Sequence, residues 1–597
     1  MPLIVQKFGG SSVADSQKIL AAARKAIRAQ QQGNQVVMVV SAMGQNTDLL
    51  IDLANEISER PSAREMDMLL STGEQVSVAL MAMAIHALGH KAVSLTGAQI
   101  GIMTDNIHTK ARIKSISTDR MRRLLDEGHI VIAAGFQGID ENLDITTLGR
   151  GGSDTTAVAL AAVLRADACE IYTDVDGVYT TDPRILPEAR HVDRISYDEM
   201  LELASLGAGV MHNRSIEFAK KFSVPVHVRS SFSDSPGSLI VAEPESTEVP
   251  VCGAAVTRDE ARVSILGVPD QPGVSYKIFS GVANRNITVD MIVQNVGEEG
   301  LADISFTVPR KELDVTLEAM REAAAALGAG EVTHDLNVSK VSVVGLGMAR
   351  QTGVAERMFA ALAQAGINIQ MLSTSEIKIS AVVEREAAVP ALRAVHKAFA
   401  LEQTPPINAA IASPPARMPA NSLADAADVV SRLRDVDMEK LTIDDIALDA
   451  TQARVTISGV PDRPGVAAKI FQEVAAAGIV VDMIVQGYDS QAGCPSLSFT
   501  VPRTKVDESI AVAKHLAQEF ACKGVSSCPQ IAKLSVSGVG LRSHTGVAIR
   551  MFRALAEAGV NVAMMNTSEV RVNVVVDGSE GKKGLQSLKA AFADALQ

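Results

Sequence analysis

The C-terminal half of the chain repeats itself, and this repeat is the strongest constraint on what the chain can fold into. Residues 262–294 match residues 454–486 at an offset of 192, and residues 340–384 match residues 533–577 at an offset of 193. Within each of the two repeat units, a weaker sequence likeness relates the first part to the second, so that the C-terminal half divides into four quarters. Each quarter reads as a strand, a glycine-containing loop, a helix, two strands and a second helix. The repeat therefore predicts four small modules in two tandem pairs.

Each module is one strand short of a ferredoxin-like βαββαβ unit. Strand-like segments precede the two pairs, at 249–256 and 441–448. We expect these segments to pair back, so that the first module is inserted in the second and the third in the fourth. The predicted modules comprise 262–337, then 249–258 with 338–400, then 452–530, and 440–450 with 531–597. The proline-rich stretch 401–438, with a helical connector near residues 425–434, is predicted to link the pairs.

The first 245 residues contain no repeat and are predicted to form one domain. Short apolar strand patterns alternate there with helical patterns, which is typical of a mostly parallel sheet covered by helices. The predicted strands are 3–5, 36–40, 92–95, 130–134, 168–172 and 226–228. The fold class is therefore α/β, with a helix-sandwiched, mostly parallel sheet followed by four ferredoxin-like modules.

Composition narrows the function classes. The net charge of −13 argues against nucleic-acid and anionic-membrane partners. The five cysteines form no CxxC pair, which favours a reducing compartment over a metal site or a disulfide framework. We found no targeting segment and no run of 18 apolar residues, so a soluble, cytoplasmic protein without a membrane span is expected.

Two glycine-rich turns are the main functional signals in the first domain. Lys7-Phe8-Gly9-Gly10-Ser11-Ser12 follows a strand, and Gly149-Arg150-Gly151-Gly152-Ser153-Asp154 precedes an apolar helix. Such turns present backbone N–H groups at a helix N-terminus, where anions bind. One such turn alone is weak support for phosphate binding, because Gly-Gly-Ser is common in loops. Two of them, carrying a Lys, an Arg and an Asp, predict a site for a polyphosphate and a second anion.

A polar segment after the strand 168–172 is a candidate nucleotide loop. Residues 173–184 (TDVDGVYTTDPR) supply hydroxyls, carboxylates, a ring and an arginine. The alternative is a surface turn held by its Asp-Gly and Asp-Pro pairs. No Gly-x4-Gly-Lys-Ser/Thr motif occurs, which excludes a P-loop protein.

Together these motifs resemble those of the aspartate kinases of the amino-acid kinase family. The resemblance rests on Lys7–Val13, Val40–Gly44, Ser71–Glu74, Gly149–Asp154 and Tyr172–Tyr179. It covers essentially the whole chain, and the C-terminal modules resemble ACT domains, which bind regulatory amino acids. A second ACT pair departs from the family's usual single pair and looks like a duplication.

The resemblance implies transfer of the γ-phosphoryl group of ATP, with Mg²⁺, to the side-chain carboxylate of L-aspartate. The product would be 4-phospho-L-aspartate, the first step of the lysine, threonine and methionine pathway. No general base is needed, because a carboxylate with a pKa near 3.9 is already ionised at neutral pH. The barrier is then mainly repulsion between anions, which a lysine, helix N-termini and Mg²⁺ reduce.

The same resemblance assigns roles to residues of the first domain. Lys7, Asp154 and Arg150 are the expected catalytic residues: Lys7 would contact the transferred phosphoryl, and Asp154 would orient Lys7 or the metal. Arg150 would also grip the α-carboxylate of aspartate, and Glu74 its α-ammonium. The remaining expected contacts are Ser41, Thr47 and Ser153 for the substrate, and Phe8, Gly9, Gly10, Thr173, Asp174, Tyr179 and Arg184, with Lys7, for ATP. No resident metal site formed by protein ligands alone is expected.

The chain departs from the family at one position. Members often carry a second lysine in a Gly-x-Lys segment after the nucleotide loop, where this chain has Gly209. Either another cation, such as Lys220 or Lys221, takes over that contact, or the contact is dispensable.

The resemblance also implies effector sites in the ACT modules. One site would be lined by Asp270, Ser275, Gln294, Asn368, Ile369 and Ser375, and its duplicate by Asp462, Gln486, Asn561, Val562 and Ser568. The Asp and Pro-Gly residues would equally suit a tight turn with an N-cap. Lysine and threonine, acting together, are the preferred effectors, although lysine or threonine alone and methionine-derived signals stay open.

Three functional readings compete. A feedback-regulated aspartate kinase is preferred over a kinase of the same fold acting on another carboxylate, such as acetylglutamate, because Glu74 implies a free α-ammonium. The third reading is an amino-acid sensor with an inactive kinase domain, which the intact Lys7, Arg150 and Asp154 disfavour. A homodimer through the ACT modules is expected, because a ferredoxin-like unit leaves a sheet edge open.

Overall fold

The structure is a computed structural model of the 597-residue chain. It describes residues 1–207, 210–285, 287–296, 300–406, 437–487, 495–541 and 546–596. Gly209, the predicted connector helix near 425–434 and most of the predicted linker lie outside the described residues.

An eight-stranded sheet forms the centre of the first domain. Its strands are β1 (Leu3–Phe8), β2 (Gln35–Val40), β3 (Ala92–Leu95), β6 (Ile130–Ala134), β9 (Ala168–Thr173), β12 (Arg194–Ser196), β13 (Val226–Ser230) and β14 (Ser238–Val241). Their spatial order is β12-β14-β13-β9-β1-β2-β6-β3, and every neighbouring pair is parallel except β13 and β14. The central strands are almost entirely buried, as apolar parallel strands covered on both faces should be.

Helices cover both faces of this sheet. They are α1 (Ser16–Gln31), α2 (Asn46–Ile57), α3 (Ala63–Ala87), α4 (Gly97–Ile100), α5 (Asp119–Asp126), α6 (Gly152–Leu164), α7 (Tyr197–Ser205) and α8 (Asn213–Lys221). A small sheet in the order β5 (Ile113–Ile116), β4 (Ile102–Thr104), β7 (Gln137–Ile139), β8 (Ile145–Thr147) lies beside it, and β10 (Val178–Tyr179) pairs with β11 (His191–Val192). The expected helix-covered α/β fold is confirmed.

One helix of the described residues, α3, is long and apolar enough by length and composition to cross a bilayer. Half of its apolar window is buried inside the structure. The helix packs against α1, β3 and β6, and its buried side chains include Asp67 and Glu74. In this structure α3 is therefore a core helix of the first domain.

The first pair of C-terminal modules shares long strands. Its elements are β15 (Gly253–Pro269), α9 (Val274–Ala283), β16 (Ile292–Val296), β17 (Leu301–Pro309), α10 (Leu313–Leu327), β18 (Val332–Val344), α11 (Val354–Gln364), β19 (Met371–Thr374), β20 (Lys378–Glu384) and α12 (Ala388–Ala398). β15 runs through both modules and pairs with β18 along its length, with register shifts between Thr257 and Arg262. β19 begins only at Met371, so Asn368 and Ile369 lie in the loop between α11 and β19.

The second pair repeats these elements with a break between its strands. They are β21 (Thr442–Asp449), β22 (Gln452–Ser458), α13 (Val466–Ala476), β23 (Ile484–Gln486), β24 (Leu497–Pro502), α14 (Val506–Glu519), β25 (Gly524–Cys528), β26 (Ile531–Val539), α15 (Gly546–Glu557), β27 (Met564–Thr567), β28 (Arg571–Asp577) and α16 (Gly581–Ala591). β21 pairs antiparallel with β26, so the segment before the pair joins the sheet of the fourth module.

The modules associate crosswise within the chain. β19 of the second module pairs with β23 of the third and joins them into one ten-stranded sheet. The first and fourth modules pack through β16 and β27, and through α9 and α15. These are the edges that we expected a second chain to cover, so that argument for a homodimer does not hold in this structure.

Candidate active site and effector sites

Lys7 lies at the carboxyl end of the central strand β1, where the first glycine turn begins. The turn packs tightly against the loop after β2: Gly44 N–H donates to Gly10 C=O at 3.0 Å, and Ser41 N–H donates to Phe8 C=O at 3.1 Å. A Cβ on Gly10 would lie 2.8 Å from the Ala42 carbonyl oxygen. Only glycine therefore lets these two loops meet at this edge.

The second glycine turn meets the first one there. Gly151 adopts the left-handed conformation at φ +74° and is the N-cap of α6, whose first turn carries Ser153 and Asp154. Lys7 Nζ lies 2.6 Å from Asp154 Oδ1, and both side chains are about nine-tenths buried. The structure thus brings together two motifs that are more than 140 positions apart in the sequence.

Glu74 approaches the same loops from α3. Its Oε1 accepts a hydrogen bond from Ala42 N–H at 3.1 Å, and the residue is 4% exposed. Burial raises the pKa of Glu74 to about 7, and the bond from Ala42 opposes this rise. A cationic group bound beside Glu74 would stabilise the ionised form of this carboxyl group, which burial disfavours.

The other predicted substrate residues surround this edge with different exposure. Ser41 and Thr47 are half-buried, in the loop after β2 and in the first turn of α2. Ser153 is buried against the end of β6, because a Cβ on Gly135 would lie 2.6 Å from its Oγ. Arg150 is exposed at the second turn.

The predicted nucleotide segment follows β9, the strand beside β1. Thr173 Oγ1 lies 3.2 Å from Asp174 Oδ1, and the Tyr179 hydroxyl donates to Asp176 at 2.9 Å. The Arg184 side chain is exposed and binds Asp182. The predicted nucleotide residues Thr173, Asp174, Tyr179 and Arg184 thus lie within one polar segment after β9.

The ring of Phe8 lies in the core of the first domain. It is buried and stacks on Tyr172, with ring centroids 4.7 Å apart, and the Phe8 carbonyl oxygen accepts a hydrogen bond from Ser41 N–H. The predicted contact between Phe8 and ATP stays a prediction. The ring alternates to the core face because it lies on a buried strand.

Two further residues at the site carried no motif in the sequence. His212, the N-cap of α8, packs against Gly151, where an added Cβ would lie 2.3 Å from the histidine Cβ. Asp67 on α3 is fully buried and accepts from Thr109 N–H and Thr147 Oγ1, which holds the strands leading to the second turn. Both contact residues that are far away in the sequence, so the residues next to them in the chain form no motif that would identify them.

The two substitutes proposed for the missing lysine are engaged elsewhere. Lys220 Nζ lies 2.7 Å from Asp198, and Lys221 donates to the Lys440 carbonyl oxygen at 2.7 Å. Both lie at the C-terminal end of α8, whereas the second glycine turn contacts its N-terminal end. Neither therefore replaces that contact here.

Comparisons with known proteins agree with this geometry. Residues 2–230 match the amino acid kinase family, and residues 262–327, 341–399, 455–520 and 534–592 match ACT domains. An aspartate kinase from Stutzerimonas stutzeri is 53% identical over 404 residues, which cover 67% of this chain and 98% of that protein. The chain belongs to the aspartate kinase family.

Two solved structures extend the likeness. The aspartate kinase from Synechocystis is 40% identical with a TM-score of 0.52, and the match covers 99% of this chain and 98% of that one. Aspartokinase III from E. coli, in complex with aspartate and ADP, is 25% identical with a TM-score of 0.57 over 66% of this chain and 99% of its own. The predicted class, an ATP-dependent phosphotransferase with a carboxylate acceptor, is confirmed, and regulation through ACT domains agrees with it.

The ACT modules of this aspartate kinase group the predicted effector residues differently from our expectation. Asn561 Nδ2 donates to Asp270 at 2.8 Å, and Gln294 donates to the Val562 carbonyl at 2.7 Å, while Ser275 bonds Gln294 at 3.2 Å. We call this group the Asp270 site. It joins the first and fourth modules, not the first and second.

The duplicate group, the Asp462 site, joins the third and second modules. Asn368 Nδ2 donates to Asp462 at 2.7 Å, and Gln486 donates to the Ile369 carbonyl at 3.4 Å. The expected grouping within each pair was therefore wrong. The reason is the crosswise association of the modules, which places each Asp loop beside the other pair's Asn.

Ser375 and Ser568 lie in separate cavities. Ser375 and Glu376 line a cavity with Phe471 and Asp482, and Ser568 and Glu569 line its counterpart with Phe279 and Asp290. The chain thus offers two kinds of inter-module site, each present twice.

The kinase site contains one carboxylate that is suited to holding Mg²⁺ together with phosphates. The described residues contain no group of three or more His, Cys, Asp or Glu side chains that could hold a metal ion by themselves. Mg²⁺ in kinases is usually held by one or two carboxylates together with substrate phosphates. Asp154, at the N-terminus of α6 beside Lys7, is the carboxylate that fits this use.

Proposed function

We propose that this aspartate kinase transfers the γ-phosphoryl group of ATP to the side-chain carboxylate of L-aspartate at the meeting point of its two glycine turns. The observation that carries the proposal is the buried Lys7–Asp154 pair, 2.6 Å apart, which joins those turns. Lys7 contacts the transferred phosphoryl group, and Asp154 holds the Lys7 ammonium in place. Gly9 and Gly10 let the backbone approach the phosphates closely, while the Gly9 N–H donates to the Tyr172 carbonyl oxygen at 3.3 Å in this structure.

Aspartate is held at both ends of its amino-acid group. Arg150 is exposed at the second turn and free to form a bidentate pair with the α-carboxylate. Glu74 receives the α-ammonium, which restores the ionised form that burial disfavours. Ser41, Thr47 and Ser153 hydrogen-bond the substrate from the surrounding loops.

The nucleotide is held by Thr173, Asp174, Tyr179 and Arg184 on the loop after β9. Asp154 would hold Mg²⁺ together with the substrate phosphates, and the ion would neutralise phosphate charge. The attacking carboxylate is ionised at neutral pH, so the protein's own work is positioning and charge stabilisation rather than proton removal. The missing second lysine is dispensable on this proposal.

Regulation, assembly and location complete the proposal. Lysine and threonine are the proposed effectors, bound between the crosswise ACT modules. The proposed domains are 1–245, 262–337, 249–258 with 338–400, a linker at 401–438, 452–530, and 440–450 with 531–597. A homodimer and a cytoplasmic location are proposed as well, and light scattering at micromolar concentration tests the homodimer against the chain mass of 62.9 kDa.

A coupled assay for ADP release tests the activity. We expect turnover with ATP and L-aspartate, and none with acetylglutamate, whose amino group is blocked. Hydroxylamine trapping identifies the acyl phosphate product. ADP release with acetylglutamate but not with aspartate would refute the proposed substrate, and no release with either would refute the proposed activity.

A further inference from the structure

A short segment just before β21 of the fourth ACT module packs on the first domain, which we call the kinase domain from here on. We call residues 437–440 the docking segment. Met438 is 1% exposed and belongs to the kinase core, and its N–H donates to the Lys114 carbonyl at 3.0 Å. The Lys440 carbonyl accepts from Lys221 on α8. β21 of the fourth module begins two residues later, so this segment ties that module to the kinase domain.

Glu439 is the charged centre of this contact. Arg214, the second residue of α8, donates to it through Nε at 2.6 Å and through Nη2 at 2.5 Å. The Ile113 N–H donates to the same carboxylate at 2.7 Å. The side chains of Arg214 and Glu439 are only 13% and 8% exposed. A bidentate pair this deeply buried holds its geometry strongly, because either partner alone would be an uncompensated charge.

The same arginine reaches the second glycine turn. Arg214 Nη1 donates to the Leu148 carbonyl at 2.6 Å, and Nη2 donates to the Ala111 carbonyl at 2.6 Å. Leu148 stands two residues before Arg150, and its N–H is held by Phe136 at 2.9 Å. One guanidinium group therefore connects the base of the aspartate-binding turn to the docking segment.

The fourth module also touches the preceding residue of α8. Asn213 Nδ2 donates to Glu569 at 3.1 Å, and the Glu569 N–H donates to the buried Glu202 of α7 at 2.8 Å. The N-terminus of α8 thus meets the fourth module at two successive positions. Its N-cap, His212, packs against Gly151 of the same turn.

We propose that Glu439 is a positioning residue for aspartate binding and acts through Arg214 on the turn that carries Arg150. The inference rests on the proposed role of Arg150. It makes the second ACT pair part of the support of the substrate site, in addition to any effector that it binds. The match to the Stutzerimonas stutzeri relative covers 98% of that protein but only 67% of this chain, so that relative is shorter. A family member without a second ACT pair must hold the corresponding turn in another way.

The test is steady-state kinetics of Glu439→Gln, Glu439→Ala and Arg214→Ala without effectors. We expect the KM for aspartate to rise about tenfold in Glu439→Ala while the KM for ATP stays within about twofold, because the turn is displaced and the nucleotide loop is not. The variant with both Glu439→Ala and Arg214→Ala should raise the KM for aspartate by less than the product of the two single effects, because the two residues act as one unit. Asp198→Asn is the matched control, since it breaks the Lys220 ion pair at the other end of α8.

An unchanged KM for aspartate in folded Glu439→Ala, an equal rise for both substrates, or an equal effect of Asp198→Asn would overturn the proposal. If Glu439→Ala does not fold, Glu439→Gln decides in its place, because it keeps an oxygen for the Ile113 N–H and loses the charge. Arg150→Ala in the same assay separates the two hypotheses. An unchanged KM in Arg150→Ala refutes the role of Arg150, whereas the Glu439 variants test the positioning itself.

Discussion

The kinase domain has one copy of its site, whereas the four ACT modules, which we call the regulatory half, have two copies of theirs. The predicted kinase site has four charged residues at the carboxyl end of the sheet: Lys7 on β1, Arg150 in the second glycine turn, Asp154 on α6 and Glu74 on α3. The regulatory half holds the Asp–Asn contact twice, at 2.8 Å and at 2.7 Å, between different modules. A single substitution should therefore impair catalysis strongly in the first region and remove only part of the inhibition in the second.

The two copies in the regulatory half are alike inside and different outside. Glu569 and Glu376 occupy the same position of the repeat. Glu569 bonds Asn213 of the kinase domain, whereas Glu376 pairs with Arg571 of the fourth module and lies 3.9 Å from Lys533. The two copies therefore share their fold, whereas their glutamates contact different neighbours; near Glu376 it is Lys378 that reaches the kinase domain, 2.9 Å from Glu202.

The largest expected effect tests the single-copy region. Lys7→Ala should lower kcat by about 10²- to 10³-fold, because it removes a preorganised cation from the transferring phosphoryl group. Stopped-flow or coupled assays of ADP release measure this. Lys91→Ala, at an exposed lysine on the opposite sheet edge, should leave kcat unchanged. Near-normal turnover of a folded Lys7→Ala protein would remove Lys7 from the chemistry.

Arg150→Ala should raise the KM for aspartate roughly 10- to 100-fold, because a bidentate charged contact is lost. Arg184→Ala is the crossed control and should raise the KM for ATP instead. Steady-state titration of each substrate distinguishes the two variants. A rise in the ATP constant alone in Arg150→Ala would contradict the assignment.

The pH dependence of aspartate binding tests Glu74. Its pKa is raised to about 7 by burial, so the fraction of ionised Glu74 falls as the pH drops below 7. Because only the carboxylate pairs with the α-ammonium, kcat/KM for aspartate should fall about tenfold per pH unit below that value. Glu74→Gln should have low activity and lack this acid limb. An identical acid limb in Glu74→Gln would assign the titration to another group.

The smallest expected effects test the two-copy region. Asp270→Ala and Asp462→Ala should each raise the inhibitory concentration of the lysine–threonine pair about tenfold, and the double variant should raise it further. Inhibition curves for each amino acid alone and for the pair provide the measurement. Ser375→Ala probes the other kind of cavity. If Asp270→Ala alone removed all inhibition, the two copies would not be equivalent.

Glu569→Gln and Glu376→Gln sharpen the same comparison. Only Glu569 contacts the kinase domain, so Glu569→Gln should change the maximal inhibition by a few-fold, and Glu376→Gln should change mainly the effector concentration needed. The two inhibition curves, measured with enzyme of matched purity, decide this. Equal behaviour would mean that contact with Asn213 does not carry the coupling.

Much of the fold was predictable because its signals are local. The strands 92–95 and 130–134 agree with the structure at both ends, since short, mostly apolar runs bounded by turns identify them. The site was predictable where a motif marks it, as at Lys7 and Asp154. The motif around Phe8 does not show that its ring lies on the core face of β1, where it stacks on Tyr172. His212, Asp67 and Glu439 were missed, because each acts through residues far away in sequence.

The sequence by itself determined the family, the four modules and the chemistry of the kinase site, because glycine turns, apolar periods and repeats are written in neighbouring residues. Only the tertiary structure decided which modules meet. Asp270 contacts Asn561 and Asp462 contacts Asn368, across the duplication, in an arrangement where β19 of the second module pairs with β23 of the third. Every module carries the same local pattern, so nothing in that pattern specifies its partner. The partner depends instead on contacts between segments far apart in the sequence, such as those of β19 with β23 and of β16 with β27.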